Sequence, residues 1–116
     1  MGRKIKFDEA VLQMSICDYL SRHGIFFFSV PNERSSSQDV QKIMRLKKMG
    51  MVPGIPDLCI LHKKTVYFLE VKSAKGKLTE KQKIIHSILK HHGYHVATVY
   101  DIEQAIRQII DWGIVK

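Results

Sequence analysis

The chain has 116 residues, 45% of them hydrophobic, which is enough for one core and suggests a single domain over 1–116. No apolar run reaches the roughly 18 residues that a membrane helix needs. The basic start Met1-Gly2-Arg3-Lys4-Ile5-Lys6 lacks the apolar stretch of a secretory signal, so a cytoplasmic protein that is not secreted is expected. Lys and Arg total 19 against 11 Asp and Glu, and the net charge of +8 favours a polyanionic partner, nucleic acid above all; an acidic membrane surface fits the charge too, but no strongly amphipathic basic helix with aromatic anchors is evident.

In chain order, Asp8 is placed to cap a helix running to about Arg22, with Gly24 as its stop and Val11, Leu12, Ile16, Tyr19 and Leu20 as its apolar face. Ile25 to Val30 is a short apolar, aromatic run ending at Pro31 and reads as a buried strand. Asn32 to Ser37 is polar and reads as a loop; Gln38 to Met49 suits a short basic helix closed by Gly50. Met51-Val52-Pro53-Gly54-Ile55-Pro56 must be an irregular turn that feeds two strands, Asp57 to Leu61 and Val66 to Lys72. After a loop carrying Lys75, Gly76 and Lys77, Thr79-Glu80-Lys81-Gln82 is a capping-box pattern opening a helix that ends at Gly93. His95 to Tyr100 is another strand, and Asp101 caps a last helix through Ile110. The order α, β, (α), β, β, α, β, α implies an α/β fold, a mixed β-sheet flanked by helices.

The chemistry concentrates in Asp57, Glu70 and Lys72. Side chains alternate along a strand, so Glu70 and Lys72 share one face, and a charged pair on an otherwise apolar strand needs a reason. A hairpin centred on Lys63-Lys64 pairs Leu61 with Val66 and sets Asp57 opposite Glu70. Two carboxylates so placed repel, so losing one should stabilise the metal-free protein; a divalent cation between them, with a backbone carbonyl, reverses the sign. Lys72 would then stand beside the metal, able to hold water or offset phosphoryl charge. A plain surface hairpin with a solvated Glu/Lys pair has the same spacing. Three neighbours favour the site: the deformed Gly54–Pro56 approach, the Lys75 and Lys77 pair beyond Lys72, and Glu9, on the helical line of Leu12, Ile16 and Leu20. Glu9 is a third carboxylate directed at the sheet or an ordinary first-turn acid complementing the helix dipole.

The ordered set Gly54-Ile55-Pro56-Asp57-Leu58, Phe68-Leu69-Glu70-Val71-Lys72 and Gly76-Lys77-Leu78-Thr79-Glu80-Lys81-Gln82 resembles the VRR-NUC domain, the virus-type replication-repair nuclease branch of the PD-(D/E)XK superfamily. Glu9 with Gln13 looks like the first-helix acid motif of that family, and Pro31-Asn32 like its motif after the first strand. The resemblance implies a restriction-endonuclease-like core and a Mg²⁺- or Mn²⁺-dependent phosphodiesterase. It implies Asp57, Glu70 and the Val71 carbonyl as metal ligands, Lys72 as the catalytic lysine, and Gln82 and Glu9 as accessory active-site residues. Stand-alone members of this size resemble phage or bacterial Holliday-junction resolvases, which implies branched DNA, four-way junctions above all, and a homodimer. The alternatives are a flap endonuclease, nickase or exonuclease with the same chemistry, and a non-catalytic DNA-binding module. A toxin-like or restriction-type enzyme is disfavoured because no target-reading domain is visible.

Lys47, from the basic run Lys42, Arg45, Lys47 and Lys48, joins Lys75, Lys77 and Asn32 as the expected DNA contacts. His91, His92 and His95 lack a nearby fourth ligand for zinc and read better as helix-end histidines. Cys17 and Cys59 sit in apolar segments and read as buried free thiols. Phe26, Phe28 and Trp112 are the candidates for an interface between copies.

Overall fold

The computed structural model describes residues 2–31 and 39–116, with side chains from residue 9 onward. Its elements are α1 (Gly2–Arg22), β1 (Phe26–Ser29), α2 (Val40–Lys48), β2 (Leu58–His62), β3 (Thr65–Val71), α3 (Glu80–His91), β4 (His95–Val99) and α4 (Ile102–Asp111). The order matches the expected one. Most ends shift by one or two residues, and one boundary moves further: α1 runs back to Gly2 instead of starting at Asp8. Arg3, Lys4 and Lys6 are good helix formers, and they extend the helix past the apolar stripe that the periodicity detects.

The sheet has the order β1-β2-β3-β4, with β1/β2 and β2/β3 antiparallel and β3/β4 parallel. The β2–β3 hairpin closes at Lys63-Lys64, with Leu61 opposite Val66 as expected. Both lysines have positive φ, 48° and 67°. That is the left-handed conformation a two-residue hairpin turn requires, and it is strained in residues other than Gly, Asn or Asp.

Period-2 alternation divides the sheet. One face carries Leu58 and Ile60 of β2, Tyr67, Leu69 and Val71 of β3, and Val99 of β4; Ile16 and Leu20 of α1, Ala105 and Ile109 of α4, and Ile114 and Val115 close over it as the core. The other face carries Cys59, Leu61, Phe68 and Glu70, and α3 packs there, beside β4. β1 corrects the expectation of a buried strand. It is the edge of the sheet, and only Phe27 reaches the core, while Phe26 and Phe28 are 65% and 45% exposed. An unbroken apolar run looks buried in sequence, but an edge strand covers only one of its faces. Trp112 packs half-buried against Tyr67, ring centroids 5.0 Å apart, and so belongs to this chain's own core. Both cysteines are free, and burial pushes both thiols up.

Candidate active site

The site forms where β2 begins and β3 ends. The approach to β2 is held by a close contact. Gly54 has φ +91°, and a Cβ there would lie 2.9 Å from the carbonyl carbon and oxygen of Lys81 and 3.1 Å from the amide nitrogen of Gln82. Only glycine allows this turn to lie against the first turn of α3. Pro56 and Asp57 follow, both buried. The Asp57 carbonyl accepts from Val30 N at 2.8 Å, which carries the β1/β2 pairing one step beyond the strands. Its carboxylate accepts from Val71 N at 2.7 Å through Oδ2. The last β2/β3 pair is Leu58 with Leu69, so Asp57 and Glu70 stand one register step further, on the α3 face.

Glu70 is 1% exposed. A carboxylate removed from water is costly unless its oxygens are bonded. Both are: Oε2 accepts from Gln82 Nε2 at 3.2 Å, and Oε1 is 3.1 Å from His86 Nε2. Gln82 and His86 are one turn apart and are the buried residues of α3. The expected capping box is present and reciprocal: Thr79 Oγ1 accepts from Gln82 N at 3.1 Å, and Gln82 Oε1 accepts from Thr79 N at 2.8 Å.

Lys72, also buried, extends the β3/β4 ladder through its N–H to Val99 O at 3.0 Å. The next amide, Ser73 N, donates to Glu9 Oε2 at 3.2 Å, so the α1 acid meets the chain just past Lys72. Gly76 N donates to Ser73 O at 2.9 Å and closes a tight turn. A Cβ at Gly76 would stand 3.3 Å from Ser73 O and Oγ. Ser73 Oγ is buried and has no hydrogen-bond partner among the described residues.

The fold therefore brings Glu9, Asp57, Glu70, Val71, Lys72 and Gln82 to one end of the sheet. Lys75 and Lys77 are exposed on the turn that follows, and Lys47 is exposed on α2, a helix that buries no residue. Asn32 lies outside the described residues. His86 was not anticipated. It lies on the sheet-facing side of α3 with Gln82, Ile85 and Leu89, while the equally apolar Ile84 and Ile88 are exposed, so periodicity alone does not single it out. The three histidines weighed for zinc lie elsewhere: His91 and His92 at the end of α3, and His95 stacked on Tyr67 at 5.0 Å.

Four helices around a four-stranded mixed sheet, with an acid at the start of one central strand and Glu-Val-Lys at the end of its hairpin partner, make an α/β core of the restriction-endonuclease-like type. The family model for the VRR-NUC domain matches residues 27–101, well over half of the chain, and the chain belongs to that family. It is a nuclease domain, and membership implies DNA as the substrate. The match covers Asp57, Glu70, Lys72 and Gln82 but not Glu9. No curated protein shows significant similarity to the chain. Among the described residues, no helix is long and apolar enough to cross a membrane.

Proposed function

We propose that this protein is a Mg²⁺- or Mn²⁺-dependent endonuclease that cuts branched DNA, four-way junctions first, at the Asp57–Glu70–Lys72 site. The observation that carries the reading is the burial of two acids side by side at the open end of the hairpin, with Lys72 on the same face. A structural role alone would be better served there by apolar residues.

The donor set fits a hard divalent cation. Among the described residues no three His, Cys, Asp or Glu side chains cluster as a metal site. The ion would be held by the Asp57 and Glu70 carboxylates and the Val71 carbonyl, with water completing the shell. Mg²⁺ is commonly bound this way, through one or two carboxylates, whereas a structural zinc site takes four protein ligands. Gln82 and His86 occupy one lone pair on each Glu70 oxygen and leave the others for an ion. When bound, the ion supplies Lewis-acid polarisation of the scissile phosphate and a more acidic water.

The chain's own residues do the rest. The Lys72 ammonium offsets charge that builds on the phosphoryl oxygens. Glu9 fixes the backbone at Ser73 and with it the position of Lys72, a supporting role. Gln82 holds Glu70 and caps α3 with the same amide group. Lys75, Lys77, Lys47 and Asn32 contact phosphates along the duplex arms, so affinity falls steeply with salt. A homodimer supplies two sites for the paired incisions that resolve a junction.

The deciding experiment offers the protein labelled four-way junctions, flaps, nicked and intact duplexes and single strands, with and without Mg²⁺. Symmetric, Mg²⁺-dependent cuts near the junction are expected. Cutting of flaps or nicks alone would keep the chemistry and replace the substrate. Junction binding without cleavage under any divalent ion would leave only a DNA-binding module.

A further inference from the structure

His86 takes no part in the proposed chemistry, yet it is 7% exposed at its side chain and lies directly against Glu70. A buried imidazole is costly to desolvate, and an apolar residue would complete the α3 stripe beside Ile85 and Leu89 at no such cost. What the histidine provides is a donor. An ionised carboxylate only accepts, so the 3.1 Å contact with Glu70 Oε1 requires the proton on Nε2. The second oxygen is held from the same helix. Gln82 Oε1 is committed to Thr79 N, and this turns the amide NH₂ toward Glu70 Oε2. One donor alone would leave the carboxylate free to rotate about its last bond. Two donors one helical turn apart, one on each oxygen, fix its plane.

We infer that His86 is a positioning residue for the divalent-ion site, whose Nε2–H, together with the Gln82 amide, locks the Glu70 carboxylate in the orientation that binds the ion. The inference rests on the reading of Glu70 as a metal ligand. Groups that hydrogen-bond a ligating carboxylate typically contribute about 10- to 100-fold to metal affinity or activity. The first turn of α3 is in turn braced by Gly54, so the turn entering β2 and the helix that orients Glu70 are one mechanical unit.

The test measures Mn²⁺ binding to the full chain without DNA, by calorimetry and by the Mn²⁺ electron-resonance signal. His86→Phe keeps the volume and removes the donor; His86→Gln keeps an N–H at similar reach. His86→Phe should bind Mn²⁺ about 10- to 100-fold more weakly, with cleavage recovered by raising Mn²⁺ and the KM for DNA little changed. His86→Gln should restore most of the affinity. If His86→Phe does not fold, His86→Asn replaces it, since its shorter amide does not reach Glu70; the same loss relative to His86→Gln is expected. A merely structural histidine would lower the melting temperature while leaving the Mn²⁺ affinity of the folded protein unchanged, and that result overturns the inference. Wild-type binding with unchanged variants sinks this inference alone. A wild-type chain that binds no Mn²⁺ sinks the metal-site reading as well.

Discussion

The two faces of the β2–β3 hairpin differ in kind. Toward α1 and α4, Leu58, Ile60, Leu69 and Val71 are buried in a wholly apolar core. Toward α3 stand Asp57, Glu70 and Lys72 at one end, buried and charged, while Phe26 and Phe28 are exposed at the sheet edge. Successive residues are only about 3.3 Å apart along a strand, so the two faces share a backbone and separate entirely in their side chains. One face carries the apolar core, and the other carries the proposed reaction site and the exposed edge. Substitutions should therefore damage different properties according to parity within each strand, even numbers facing the core in β2 and odd numbers in β3.

The largest effect belongs to the acids. Glu70→Ala and Asp57→Asn should reduce cleavage to background while circular dichroism shows the fold intact. Repulsion between two carboxylates, taken alone, makes their loss stabilising. The hydrogen bonds reverse that sign for Glu70→Ala, because Gln82 Nε2 and His86 Nε2 lose their acceptor. A buried donor without a partner costs about 1–3 kcal/mol, so the metal-free Glu70→Ala protein should melt below wild type. Asp57→Asn keeps an oxygen for Val71 N and should melt closer to it. Wild-type cleavage by either variant would remove these acids from the reaction.

Next comes Lys72→Ala, with cleavage about 10²- to 10³-fold slower at saturating Mn²⁺ and Mn²⁺ affinity retained. If metal binding disappears with the lysine, Lys72 is needed to assemble the acid pair and not to act on phosphate. The opposite face supplies the control. Leu69→Ala, one residue before Glu70, should cost about 2–5 kcal/mol in urea unfolding, yet leave the Mn²⁺ affinity and cleavage of the folded fraction near wild type. A folded Leu69→Ala protein as slow as Lys72→Ala would mean that the two faces do not act separately.

How much of this was legible in the sequence follows the same division. The hairpin register could be read because Lys63-Lys64 is the break between two apolar runs, and the alternation of side chains along a strand put Glu70 and Lys72 on one face. Gln82 entered through family resemblance, although its capping role was visible in Thr79-Glu80-Lys81-Gln82. His86 escaped because a histidine among isoleucines signals burial only once its helix is known to face a carboxylate. The exposure of Phe26 and Phe28 was hidden because strand order, which makes β1 an edge, is a long-range property that a local apolar run does not encode. The Glu9–Ser73 contact joins residues 64 apart and could be anticipated only as a direction, a helix acid aimed at the sheet.

The smallest effect on stability, and the sharpest test of the exposed half of the α3 face, concerns Phe26 and Phe28. Their rings lie 6.5 Å apart on an edge strand, beside the half-exposed Leu61. An open apolar edge invites pairing with another chain, and a two-fold axis beside such an edge would set the same patch of two copies face to face. The net charge of +8 opposes association, so an interface must exclude the lysines, and the Phe26 and Phe28 side chains carry no charge. Exposed side chains away from special features change stability by within about 0.5 kcal/mol. The double variant Phe26→Ser with Phe28→Ser should therefore leave the stability of the folded monomer nearly unchanged, and its urea midpoint should fall only by what association adds to wild type and lose its dependence on protein concentration. Light scattering at micromolar concentration should nevertheless show its mass falling from dimer to monomer, and junctions should be nicked once instead of resolved by paired cuts. A wild-type monomer that resolves junctions would end the dimer reading. A double variant that stays dimeric would move the interface away from β1 and leave the exposed edge without a partner.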